Sequence, residues 1–206
     1  MVDITTLRAT LYELKEYGIN VEYALLDAGY CSENNITSLY KSGINFLIRL
    51  QNNRKIFLDS LARYKNDALS DSCQYIYNDR VVGIKTIRTK LYDNFGYVYL
   101  CVDYSSRNEQ LKNFIKGAID DKLPRVKWSS ETDKMGFFAL VSSVNINPED
   151  LLPLYYQRQM VEQVFDISKN VGHIIPLAVD TEDTFRGHIM VSFMAICLYL
   201  KLNQCF

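Results

Sequence analysis

Leu7, Leu11 and Leu14 recur at helical spacing behind Asp3, a residue that can cap, and Gly18 follows the last turn. The pattern predicts an amphipathic helix at the start of the chain. The run from Val21 to Asp27 predicts a buried strand. Ser32 can then cap a helix carrying Ile36, Leu39 and Tyr40, Gly43 can end it, and Phe46 to Leu50 forms a second strand. Together these make a βαβ unit with Asp27 at the carboxyl end of its first strand. Open α/β sheets place ligands outside the carboxyl ends of their strands, so Asp27 has a position with chemical meaning. Gly29 is read as the residue that lets the chain turn behind it.

The character changes between Gln51 and Lys134. A short helix over Ile56 to Tyr64 precedes β-rich runs at Cys73 to Tyr77, Val81 to Leu91 and Tyr97 to Tyr104. Asn78-Asp79 and Asp93-Asn94 punctuate them, predicting an antiparallel hairpin or meander. Ser106 with Glu109 reads as a capping box for a helix whose apolar face is Leu111, Phe114 and Ile115. Phe137 to Val144 predicts a further strand. Asn147-Pro148-Glu149-Asp150 is a helix start, with a capping Asn, Pro in the first turn and acids at the positive dipole end. Pro153 is expected to kink or restart that helix, and a second helix is expected from Leu154 to Asn170. The last helix, Thr181 to Leu202, is apolar on most sides beyond His188, which predicts burial against the sheet. No internal repeat is present. The fold class is α/β, with residues 1–50 and 135–206 as two parts of one core and 51–134 as a β-rich insertion.

At 206 residues the chain can bury one sizeable core plus an insertion. Its formal net charge of −1 supplies no global attraction to nucleic acid, so DNA binding would rest on local basic groups or metal-bridged contacts. The five cysteines are widely spaced without a Cys-x-x-Cys pair, which argues for free thiols in a reducing cytosol and against zinc or a disulfide framework. His173 and His188 lack ligand spacing, and no Gly-rich phosphate loop occurs. No signal peptide is indicated, since Asp3 stands where a basic region would precede an apolar run. The apolar stretch Ile189 to Leu200 is shorter than the ~20 residues of a membrane span and reads as a core helix.

One stripe carries chemistry. Tyr155, Arg158, Glu162 and Lys169 fall within an arc of roughly 60° at about 100° per residue. One helical face could thus present a carboxylate for a metal and cations for a phosphate backbone. Paired with Asp27 on a strand end, Glu162 supplies the second of two carboxylates that a divalent-metal phosphoryl-transfer site requires. Taken alone, Asp27 is a strand-end residue capping its turn, Glu162 is a solvated helix residue, and Arg158 pairs with Glu162 at i, i+4. The clusters Arg49, Arg54 and Lys55, Lys85, Arg88 and Lys90, and Lys122, Arg125 and Lys127 beside Trp128 could track a DNA backbone, though scattered surface charge is the simpler account. Asp3 is accounted for as a helix cap, and Asp166, one turn after Glu162, is a lesser candidate for an auxiliary ligand.

The spacing Tyr155-x2-Arg158-x3-Glu162-x6-Lys169 resembles the Tyr-Arg-Glu-Lys signature of insertion-sequence transposases of the type 4 group. The run Leu25-Leu26-Asp27-Ala28-Gly29-Tyr30 followed by Ser32 to Ile36 is similar to that family's second catalytic Asp and the helix behind it. The resemblance covers nearly the whole chain and implies a ribonuclease-H-like fold with a β-rich insertion between the second Asp and the Glu. It implies catalysis by Asp27 and Glu162 as ligands of Mg2+ or Mn2+, with Tyr155, Arg158 and Lys169 contacting DNA. The implied reaction is hydrolysis at transposon ends and strand transfer into target DNA, by a homodimer in a synaptic complex, in the cytoplasm and on the nucleoid when DNA-bound. The family's first Asp has no match, so the resemblance implies a segment truncated on its N-terminal side and inactive by itself. Two alternatives stay open. One is a non-catalytic DNA-binding or oligomerising remnant; the other is an unrelated ribonuclease-H-like nuclease that cleaves without joining.

Overall fold

The computed structural model describes residues 3–120, 128, 132–159, 181–184, 186, 187, 190, 191 and 194, with side chains from Thr6 onward. The chain divides into two compact units, Met1–Tyr155 and Tyr156–Phe206. In the first, helix α1 (Asp3–Glu16) precedes strand β1 (Tyr23–Leu26), helix α2 (Glu33–Lys41) and strand β2 (Asn45–Leu50). Helix α3 (Lys55–Ala68) leads to strands β3 (Gln74–Tyr77), β4 (Arg80–Leu91) and β5 (Asn94–Asp103). Helix α4 (Tyr104–Asp120), strand β6 (Phe137–Ser142) and helix α5 (Pro148–Tyr156) follow.

The six strands form one mixed sheet in the order β1-β2-β6-β5-β4-β3. The β1–β2 pair is parallel, as the βαβ reading requires, and every other pair is antiparallel. The strands expected as an insertion therefore continue the same sheet through β6, which bonds to β2 on one side and β5 on the other. Strands β1, β2 and β5 run in the same direction, so Leu26, Leu50 and Asp103 end at a common carboxyl edge.

One face of the sheet builds the main core. Ala24, Phe46, Ile48, Val98, Leu100, Ala139 and Val141 pack there with Leu7, Ile36, Leu39 and Phe57 of α1, α2 and α3. Strand residues alternate between faces, so Leu47, Tyr99 and Leu140 bury their side chains on the other. Close packing is visible where α3 meets β4: a Cβ added to Gly83 would stand 2.1 Å from the Ala68 carbonyl oxygen.

The local chemistry of the helix ends matches the sequence at α2. The Ser32 hydroxyl accepts the Asn35 N–H at 3.2 Å, and Gly43 takes φ +67° while the Ile44 N–H closes onto the Leu39 carbonyl. Helix α1 closes the same way, from the Ile19 N–H to the Leu14 carbonyl. Other boundaries differ from expectation for identifiable reasons. Helix α4 opens at Tyr104 because the Asp103 carboxylate accepts the Ser106 N–H at 3.0 Å, so Asp103 is the cap and Ser106 lies inside. The β4–β5 turn falls on Tyr92 and Asp93, one residue early, with Tyr92 at φ +58°. Pro153 sits within α5, which runs unbroken to Tyr156 before a turn at Gln157.

In the second unit Thr181 caps a helical segment, accepting the Thr184 N–H, and Arg186 pairs with Glu182 at 2.7 Å. Met190, Val191 and Met194 are exposed there, and most of the helix expected from Thr181 to Leu202 lies outside the described residues. Their i, i+3 and i, i+4 spacing puts them on one stripe, and that stripe faces solvent.

Tyr99 ties the approach to α5 onto the sheet. Its buried hydroxyl accepts the Ile146 N–H at 2.6 Å, and burial pushes its pKa up to about 12, so it stays protonated at any ordinary pH. Tyr99→Phe leaves that buried N–H unpaired and is expected to lower the stability of the fold by about 1–3 kcal/mol. Chemical denaturation of the two proteins reads the difference, and an unchanged midpoint and slope would refute it.

Candidate active site

Asp27 directly follows the last residue of β1, where the strand leaves the sheet at its carboxyl edge. It is exposed. One carboxylate oxygen accepts the Ala28 N–H at 2.7 Å, and the Asp27 carbonyl accepts the Tyr30 N–H at 3.1 Å. Asp27 thus caps a 3₁₀ turn over Ala28–Tyr30. That turn is right-handed, and Gly29 is not among the positive-φ glycines. The chain reverses by capping, without the conformational freedom expected from Gly29.

Three side chains from other elements hold the carbonyls of this turn. Gln51, the residue after β2, donates from Nε2 to the Ala28 carbonyl at 3.2 Å. Asn35 of α2, fully buried, donates from Nδ2 to the Tyr30 carbonyl at 3.0 Å. Arg54 donates from Nη2 to the Cys31 carbonyl at 3.2 Å and from Nε to the Gln51 side-chain oxygen at 3.1 Å. The Cys31 thiol beneath is pushed up to about 11, chiefly by burial, with Arg54 opposing. It is therefore a packed thiol and not a nucleophile at neutral pH. The result is a carboxylate displayed in solvent on a turn whose backbone is fixed from three directions. Sequence reasoning missed Gln51 and Asn35, and read Arg54 as part of a basic cluster for DNA or as scattered surface charge. Nothing in their spacing signals the role, since each bond depends on how β2 and α2 dock beside β1.

The other candidates fall as follows. Tyr155 is fully buried at the end of α5, and Arg158 is half-buried beyond the Gln157 turn. Glu162, Asp166 and Lys169 lie outside the described residues, as do Lys122, Arg125, Lys127, His173 and His188. Among the described residues no three His, Cys, Asp or Glu side chains gather into a metal cluster. Asp103 shares the carboxyl edge with Asp27, but three strand spacings separate β1 from β5, roughly 14 Å at ~4.8 Å each. Its carboxylate is also paired with Arg80 at 3.0 Å while it caps α4. Asp103 is a structural acid.

Most of the described basic residues have internal partners. Arg49 stacks on Phe138 at 5.3 Å, Arg88 and Lys90 both lie over Phe95, and Lys85 pairs with Asp67 at 3.1 Å. Trp128 meets Phe114 edge to face at 5.9 Å. Among the described residues no helix is long and apolar enough to cross a membrane.

Asp27 fits a hard divalent ion in donor chemistry and position. It is a solvent-facing carboxylate on a rigid mount, and magnesium is commonly held by one or two carboxylates while keeping several waters. No curated protein and no solved structure matches the chain. The sequence model of the transposase DDE domain matches residues 2–198. A carboxylate presented at the carboxyl edge of a mixed α/β sheet agrees with that match, which spans all but the ends of the chain, and the chain belongs to the transposase DDE domain family.

Proposed function

We propose that this chain acts in DNA transposition as the metal-binding part of a catalytic domain of the insertion-sequence type 4 group. In this reading Asp27 and Glu162 are the paired carboxylates for Mg2+ or Mn2+. The single observation that carries it is the Asp27 turn, where a carboxylate faces solvent while Gln51, Asn35 and Arg54 immobilise its backbone. Such bracing is poorly explained for a surface acid whose only task is to cap three residues.

A bound divalent ion would supply Lewis-acid polarisation of the scissile phosphate and activation of the attacking oxygen. The chain's own residues supply position and charge. Asp27 fixes one ligand oxygen relative to the sheet. Arg158 and Lys169 are assigned to the DNA phosphates, Arg as a two-pronged donor and Lys as a point charge. Tyr155 is assigned to the same DNA-holding helix. With its ring inside, its contribution is to seat the helix and not to stack on a base.

The outer edge of β1 supports a ribonuclease-H-like reading. The Asn45 N–H donates to the Glu22 carbonyl, so alternate residues Tyr23 and Leu25 turn their backbone groups away from β2. Among the described residues β1 has no neighbour on that side. A strand laid there would carry its own end residues beside Asp27, which is where the family's first Asp is assigned. The core assigned to residues 1–50 and 135–206, with 51–134 inserted, belongs to the same proposal, as do double-stranded DNA at transposon ends as partner and a homodimeric synaptic complex.

Calorimetric titration with Mn2+ tests the reading. Wild type is expected to bind, and Asp27→Ala and Glu162→Ala are each expected to lose at least tenfold in affinity. A well-folded wild type that takes up no Mn2+ would overturn it. Gln51→Ala releases the Ala28 carbonyl without touching a ligand. Removing such an outer support usually costs about 10–100-fold in metal affinity, so a loss near tenfold with intact folding is expected, and unchanged affinity would show that the bracing is irrelevant to the metal.

A further inference from the structure

A cleft of ≈ 980 Å³ runs between α1 and α2, lined also by the segment 18–21 that leads into β1. Arg8 and Lys15 enter it from α1, and Lys41 from α2; among the described residues no acidic side chain lines it. In a chain of net charge −1 that is a marked local excess of positive charge. Arg8, Tyr12 and Lys15 stand at i, i+4 and i+7, one stripe of α1. Thr37 and Ser38 supply hydroxyls from the facing side, and Tyr12 is 66% exposed at the rim. The Arg8 guanidinium is held toward α2 by donating to the Asn34 carbonyl at 3.2 Å.

Lys15 and Lys41 lie in the last turns of their helices, where they complement the dipoles. That accounts for two cations. It does not account for Arg8, in the first half of α1, or for the absence of any acid among the lining residues. The cations are also strung out. Arg8 and Lys15 are seven residues apart, about 10 Å along the helix at ~1.5 Å per residue. One strand of a duplex carries a charge every ~3.4 Å, so this length matches about three successive phosphates and exceeds the reach of a single one.

We propose that this cleft is a second DNA-binding site that takes the phosphodiester backbone of one strand, with Tyr12 against the sugar or base at its rim. The contact is independent of metal, and Asp27 is not among the residues lining the cleft. It rests on the reading of the chain as a DNA-handling protein, and the test keeps the two apart.

Binding of a fluorescent DNA duplex is measured by anisotropy over a salt series without divalent metal. The proteins are wild type, Lys15→Glu/Lys41→Glu, and a control with the same charge change on the exposed face of α4, Lys112→Glu/Lys116→Glu. The cleft variant is expected to bind at least tenfold more weakly, and the slope of log affinity against log salt to fall by about two, at ~0.9 per phosphate contact. The control should change less than twofold, and because no divalent metal is present the comparison does not depend on the metal reading. The neutral pair Lys15→Gln/Lys41→Gln repeats the test should charge reversal disturb the helix ends, with circular dichroism as the check on folding. A cleft variant that behaves like the control overturns the proposal. So does a fluorescent nucleoside triphosphate that occupies the cleft without being displaced by duplex, since the phosphates would then come from a free nucleotide.

Discussion

Strand β2 bears the constraint on which the rest depends. It must satisfy a parallel neighbour, β1, on one side and an antiparallel neighbour, β6, on the other, and it is apolar on both faces. Phe46, Leu47 and Ile48 are fully buried and Leu50 nearly so. A one-residue slip of β2 would invert its faces and misalign both neighbours, so its register is strongly specified. Because β2 joins the βαβ unit to the antiparallel strands within the sheet, that register also fixes where Asp27 stands relative to Gln51.

From this follows the character of the sheet's carboxyl edge. A carboxylate at a strand end is common and, by itself, uninformative. Here the turn behind it is held by donors from α2, from the end of β2 and from the start of α3, each aimed at a different carbonyl. Those bonds fix the backbone of the turn without using the Asp27 side chain. The carboxyl edge carries a second acid, Asp103, and the contrast is useful. Asp103 pairs with Arg80 and caps α4, whereas Asp27 is exposed and caps the short turn directly behind β1.

Much of the fold was legible because local signals agreed with one another. Ser32 and Gly43 bracket α2 as expected, and the apolar runs of β1, β2, β4 and β6 appear within a few residues of their predicted limits. What was not legible depended on long-range docking. Asp103 as the cap of α4 displaces an equally good local candidate at Ser106. The burial of Tyr155 could not be read from a helical stripe that treats every position as equally exposed, and the turn at Gln157 divides that stripe. Gln51 and Asn35 had no sequence signal because their partners are backbone carbonyls, which every residue carries. The α1–α2 cleft was hidden for the same reason. Its cations are unremarkable along the chain and become a group only when two helices pack side by side.

The central claim is that Asp27 and Glu162 converge on one ion. Ferrous iron substituted at a divalent site generates hydroxyl radicals that cut the nearby polypeptide, so mapping the fragments locates the ligands. The account predicts two cuts, one beside Asp27 and one beside Glu162, both suppressed by excess Mg2+ and both lost in Asp27→Ala. Cutting at only one of the two positions, or at neither, would contradict it.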